Sequence, residues 1–125
     1  MEDLFSVKRR SDITLNADGT IVLNKRVNDL LSLHEGDVVN IAKDGIEYYL
    51  YSIGNKEGRY SNRLRRRKIT KKEPRNLRFH NKKLCEYVRG IMKTDYPLHI
   101  NAGELINKDG RDNITLIIHD SRVQL

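Results

Sequence analysis

Residues 18–37 read DGTIVLNKRVNDLLSLHEGD, and this stretch decides the fold. Asp18-Gly19 is a turn dipeptide, because glycine reaches positive φ without a steric penalty. Ile21, Val22 and Leu23 make a β-branched-rich apolar run that is too short for a helix and predicts a strand. Asn24 is placed to cap a helix, and Val27, Leu30 and Leu31 share one face of about two helical turns. Gly36-Asp37 breaks the chain before Val38, Val39 and Ile41 begin another strand. The order is strand, short helix, turn, strand.

Working outward, Ile13-Thr14-Leu15 alternates as a strand does, and Ala17-Asp18-Gly19 turns it into Ile21–Leu23 as a hairpin. The short helix is expected at about residues 25–31. Residues 38–42 and 46–51 form a second hairpin across Lys43-Asp44-Gly45, with Tyr48, Tyr49 and Tyr51 suited to a half-buried pleated surface. A related pattern returns after Pro74. Leu77-Arg78-Phe79 alternates, Asn81 is placed as an N-cap, and Leu84, Val88 and Ile91 outline an amphipathic helix of about three turns. Cys85, Tyr87 and Met92 lie beside that apolar stripe. Tyr96-Pro97 ends the helix, Leu98–Ile100 is short and apolar, Lys108-Asp109-Gly110 repeats the earlier turn, and residues 114–118 form the last clear strand.

These elements predict an α+β protein, mostly β, with a small barrel-like fold built from two related strand–helix–strand–strand halves. Strands this short leave exposed edges in an open sheet, and closing the sheet removes them. The expected organisation is an N-terminal tail (1–12), a first half (13–53), a basic linker or arm (54–75), a second half (76–120) and a C-terminal tail (121–125). Phe5 is a candidate to dock the first tail. Between Gly54 and Pro74 apolar residues are rare, and Tyr60, Leu64 and Ile69 offer little for a packed element to bury.

The chain has 125 residues, 38% hydrophobic and 33% charged, enough for one modest core. No stretch approaches the roughly 18 apolar residues of a membrane span. The first residues are acidic and lack the pattern of a signal peptide. Cys85 is the only cysteine, so no internal disulfide is possible, and the expectation is a reducing, cytoplasmic setting without membrane contact. The net charge of +7 is concentrated in the middle, where residues 55–93 carry 15 Lys and Arg against 3 Asp and Glu. Such asymmetry points to a polyanionic partner, nucleic acid before membrane.

The stretch from Asp18 to Asn24, followed by Leu30-Leu31-Ser32-Leu33-His34-Glu35-Gly36-Asp37, resembles the AbrB/SpoVT swapped-hairpin family. That family runs turn, apolar strand, short helix, then Leu-Gly and Gly-Asp, and the resemblance spans residues 13–52. Two copies in one chain are similar in plan to MraZ-type tandem proteins. The resemblance implies the fold, with one chain building the barrel that half-length chains build as a dimer. It carries over no DNA-contacting residue, because Thr20, Asn28 and Asp29 stand where the family has arginine, and Asn24 stands where it has proline.

The basic run is the strongest functional feature. Arg59, Arg63, Arg65, Arg66, Arg67, Lys68, Lys71 and Lys72 are candidates for phosphate contact, with Tyr60 able to stack on a base. Arginine predominates, and its fork pairs phosphate bidentately. The same run read plainly is a solvated linker. Lys82, Lys83 and Arg89 extend the positive region onto the polar side of the second helix, as any amphipathic helix would. Cys85 reads as a buried structural thiol. His34, His80, His99 and His119 show no metal-ligand spacing. Asp18, Asp37, Asp44 and Asp109 are explained by turn chemistry. No phosphate loop, nucleophile elbow or paired-carboxylate motif is present, so the sequence predicts no enzyme, no metal and no cofactor. The functional expectation is a nucleic-acid-binding module, DNA before RNA and regulatory in type, with tyrosine-rich strand edges favouring a homodimer. The alternative is a protein–protein interaction or assembly module in which the basic run only links the halves.

Overall fold

A computed structural model describes residues 11–55, 62–66 and 76–118. The elements are β1 (Ile13–Leu15), β2 (Thr20–Leu23), α1 (Lys25–Leu30), β3 (Val38–Asp44), β4 (Glu47–Gly54), β5 (Arg65–Arg66), β6 (Leu77–His80), α2 (Lys82–Met92), β7 (Leu98–Lys108) and β8 (Arg111–Ile117). All eight strands belong to one curled antiparallel sheet in the order β3-β4-β8-β7-β1-β2-β6-β5. The protein is mostly β and barrel-like, as the sequence predicts.

The two ends of that order meet. Leu64 N–H donates to the Asp37 carbonyl (2.8 Å), and Val39 N–H donates to the Asn62 carbonyl (3.1 Å). Gly36 N–H donates to the Leu64 carbonyl (2.8 Å), and Val38 bridges Arg63. Two residues on, Arg65 and Arg66 pair with Arg78 and Leu77 of β6. Residues 62–66 therefore join β3 to β6 and complete the wall. Here the structure departs from the expected linker over 54–75. One fully buried side chain, Leu64, together with backbone pairing on both sides, is enough to hold so short a stave.

The pairing has a further regularity. When β1–β4 are exchanged with β5–β8, the β1–β2 pair becomes β5–β6 and β3–β4 becomes β7–β8. The β1–β7 pair becomes the contact of residues 62–64 with β3, while β2–β6 and β4–β8 map onto themselves. The corresponding elements differ in length, α1 having 6 residues and α2 having 11.

Alternation builds the core. Ile13, Leu15, Ile21, Leu23, Leu77, Phe79, Leu98 and Ile100 point inward and are buried. Val27 of α1 and Cys85, Val88 and Ile91 of α2 join the same cluster. Each helix starts as its sequence predicts, with Asn24 Oδ1 accepting from Val27 N–H (3.1 Å) and Asn81 Oδ1 accepting from Leu84 N–H (2.9 Å). Such caps stabilise a helix by about 1 kcal/mol. Gly19 has φ of +94°, and a Cβ there would lie 2.7 Å from His80 Nε2 and 3.0 Å from Lys82 Cα, so the β1–β2 turn requires glycine.

Two further differences arise from polar residues that sequence patterns underrate. β7 runs to Lys108 rather than stopping at Ile100, its polar half paired with β8. Asp12, assigned from sequence to the N-terminal tail, is fully buried. Its carboxylate accepts from Ala102 N–H (2.8 Å), Arg26 Nη1 (3.1 Å) and Asn24 Nδ2 (3.1 Å), tying the start of β1 to α1 and β7. Of the tyrosines, Tyr48 and Tyr49 are buried, and their strand lies between β3 and β8. The tyrosine-rich edge on which the homodimer expectation rested is therefore not an edge. Among the described residues, no helix is long and apolar enough to cross a membrane. Residues 1–10 and 119–125, with the Phe5 docking expectation, lie outside the described residues.

Candidate nucleic-acid interface

While one side of β7-β1-β2-β6-β5 fills the core, the other faces outward and is polar. Strand register places His99, Thr14, Val22, Arg78 and Arg65 at successive partner positions across these strands. They form one transverse row, because partner residues on neighbouring strands share a face and lie about 5 Å apart. Thr20 and His80 are partners in the adjoining position. The row ends in two arginines set directly opposite each other, an arrangement that repels.

No described residue neutralises either arginine. Among the described residues, no side-chain hydrogen bond or ion pair reaches Arg65 or Arg78, and Arg78 Nε is buried without a hydrogen-bond partner. Covering a charged donor without satisfying it is costly. Other basic residues nearby are engaged. Arg63 donates to the Gly36 carbonyl (2.6 Å) and to Asn55 Oδ1 (2.9 Å), so it supports the turn before β3. Arg26 is held by Asp12, and Lys25 pairs with Asp29 (3.5 Å). Arg66 pairs with Leu77, its backbone N–H donates to Glu35 Oε2 (3.2 Å), and its side chain is exposed.

Beside Arg78 the outer surface is hollowed into a shallow cavity of about 810 Å³ whose polar lining includes Ser11, Thr14, Asn24, Asn76, His99 and Asn101. Ser11 Oγ shares hydrogen bonds with His99 Nδ1 (2.8 Å) and Thr14 Oγ1 (3.1 Å). The charged residues of the lining are Asp12, which Arg26 neutralises, and Lys25, which pairs with Asp29 outside it. Positive charge at the β5–β6 edge thus meets a neutral, hydrogen-bonding hollow.

Of the residues predicted from sequence, Arg63, Arg65 and Arg66 are on the barrel wall, with Arg63 serving the fold. Arg59, Tyr60, Arg67, Lys68, Lys71 and Lys72 lie outside the described residues. Sequence reasoning missed Arg78. The signal was present in Leu77-Arg78-Phe79, whose middle residue must point away from the core, but its partner across the strand is visible only in the register. Lys82 and Lys83 are exposed on α2, and Arg89 pairs with Asp95 (3.0 Å).

The remaining chemistry is quiet. Burial pushes the Cys85 thiol up to about 11, which leaves it protonated at neutral pH. His80 Nε2 donates to the Asp18 carbonyl (2.7 Å), so that nitrogen is occupied in the fold. The Thr20 N–H bonded to Asp18 Oδ1 (2.9 Å) holds that carboxyl below its ordinary range. Asp37 accepts from His34 N–H (2.8 Å), as turn chemistry predicts, whereas Asp44 pairs with Lys108. Among the described residues, no three His, Cys, Asp or Glu side chains form a metal-binding group. No protein-family model matches the chain, and no curated protein or solved structure matches it.

Proposed function

We propose that this protein is a non-enzymatic nucleic-acid-binding module, regulatory in type, which contacts DNA phosphates through its basic middle segment. The observation that carries this reading is the Arg65–Arg78 pair, two opposed cations without an acidic partner among the described residues, at the edge of a polar sheet face. A protein that only needed solubility would gain nothing from placing like charges across a strand pair. A phosphate turns that repulsion into bidentate attraction. The exposed Arg66 side chain and the neighbouring sequence, Arg67-Lys68 and Lys71-Lys72, extend the same basic segment.

The fold supports the reading in plan. The exchange symmetry of the pairings favours two related halves, each a strand–helix–strand–strand unit, in a single-chain counterpart of the swapped-hairpin barrel. In this proposal the DNA-contacting role belongs to the β5–β6 edge, since the positions resembling AbrB arginines are Thr20, Asn28 and Asp29.

The test is fluorescence anisotropy of labelled DNA at two salt concentrations, wild type beside the Arg65→Ala, Arg66→Ala, Arg67→Ala triple variant. Binding that weakens with salt and is lost in the variant supports the proposal. Absence of wild-type binding at low salt overturns it.

A further inference from the structure

We infer that the outer face of β7-β1-β2-β6-β5 seats an unpaired nucleotide of single-stranded DNA, its phosphate held between Arg65 and Arg78 and its base lodged in the adjoining hollow. This rests on the nucleic-acid reading above and adds which form of DNA is bound and where. Arg78 comes from β6, outside the basic run, so the phosphate seat is assembled from two strands that only the barrel brings together.

Three observations carry the inference. First, adjacent strands lie about 4.8 Å apart, so the two guanidinium groups start close enough to converge on a single phosphate. Arg78 is half-buried with its Nε covered, which fits a side chain laid along the sheet beside Arg65. Second, the surface beside this pair is concave. A duplex keeps its bases stacked inside and is read by elements that protrude into its grooves, whereas a hollow receives something that protrudes from the nucleic acid. Its volume, about 810 Å³, lies within the usual range for small-ligand sites.

Third, the lining suits a base edge. Val22 and Thr14 supply methyl groups along the row, while Asn76 and Asn101 are exposed amides with no side-chain partner among the described residues. Asn76, which directly precedes β6, lines the hollow two residues from Arg78. Among the described residues no Phe, Tyr or Trp lines the hollow, and its one ring, His99, is tied to Ser11 Oγ (2.8 Å), so hydrogen bonds to the base edge carry more of the recognition than stacking.

The test is anisotropy of a fluorescein-labelled 12-nucleotide DNA single strand and of the matching duplex. The proteins compared are wild type, Arg78→Gln, Arg78→Lys and the Asn76→Ala, Asn101→Ala double variant, each checked by circular dichroism to be folded and to melt no lower than wild type. The wild type should bind the single strand more tightly than the duplex. Arg78→Gln should weaken single-strand binding about tenfold and reduce the log–log salt slope by about 0.7, the loss of one phosphate contact. Arg78→Lys should restore the slope but only part of the affinity, since it keeps the charge and loses the fork. The asparagine variant should weaken binding severalfold at an unchanged slope. Tighter binding to duplex, or an Arg78→Gln variant indistinguishable from wild type, would overturn the seat. If the triple variant at residues 65–67 still abolished binding in that case, the nucleic-acid reading itself would survive. No wild-type binding to either form would end both.

Discussion

Two basic regions of this barrel treat their charges in opposite ways. At the tips of the β3–β4 and β7–β8 hairpins every cation has company. Lys108 pairs with Asp44 and lies over the Tyr49 ring at 4.7 Å, Arg111 lies 3.5 Å from the Tyr51 ring centre, and Lys43 lies 5.7 Å from that of Tyr48. At the β5–β6 edge, Arg65 and Arg78 face each other with no such partner among the described residues. The first region uses its charge to hold two hairpins side by side. The second has no such partner among the described residues, and in the proposal above its charge serves DNA. Whether a cation has a partner thus says more about function than how many cations there are.

That contrast can be broken most severely at a matched site. Asp12→Ala would leave Arg26 without its carboxylate and the buried Ala102 N–H without its acceptor. The expected loss is about 3 kcal/mol, read from urea denaturation. A loss within error of zero would mean that Asp12 is not the tie between β1, α1 and β7.

The opposite change sharpens the comparison. Arg65→Gln should raise stability without DNA by roughly 0.2–1 kcal/mol, because it relieves the cross-strand repulsion, while it weakens DNA binding. A variant that is less stable than wild type would show that the arginine pair serves the fold.

The smallest effect is expected at the hairpin tips and depends on pH. Asp44 raises the Lys108 ammonium above its ordinary value of 10.5 by hydrogen bonding and charge. A raised folded-state pKa means the contribution is complete below the unfolded value and fades as pH climbs through the folded one. The melting temperature of Lys108→Met should therefore trail wild type by a small, constant margin from pH 7 to about 9, and the gap should close in strong alkali. DNA affinity should not change. A reduced affinity would place the hairpin tips in the interface as well.

Sequence legibility divides along the same physical line. β2, α1 and the start of β3 were readable because each announces itself locally, through Asp18-Gly19, the Asn24 cap and Gly36-Asp37. Asn81 and the apolar stripe of α2 were readable for the same reason. Residues 62–66 were not, because one buried leucine leaves no periodicity, and their place in the wall depends on β3 and β6. The full length of β7 was hidden because its outer half is polar and is held by β8. Asp12 escaped notice because its partners lie as far along the chain as Ala102. At the site, Arg65 and Arg66 were legible as charge, but the Arg65–Arg78 opposition and the hollow beside it are products of register, which no local pattern encodes.

Closure through residues 62–66 also sets a timetable for the chain as it is made. β1 leaves the ribosome well before its second neighbour, β7, so Ile13 waits for Ile100. β2 waits in the same way for β6, and β4 for β8. Within the first half, only the β1–β2 and β3–β4 hairpins can pair as they emerge. A barrel wired this way stays open until β7 and β8 have been made, and its nascent first half must spend that interval with unfilled strand edges.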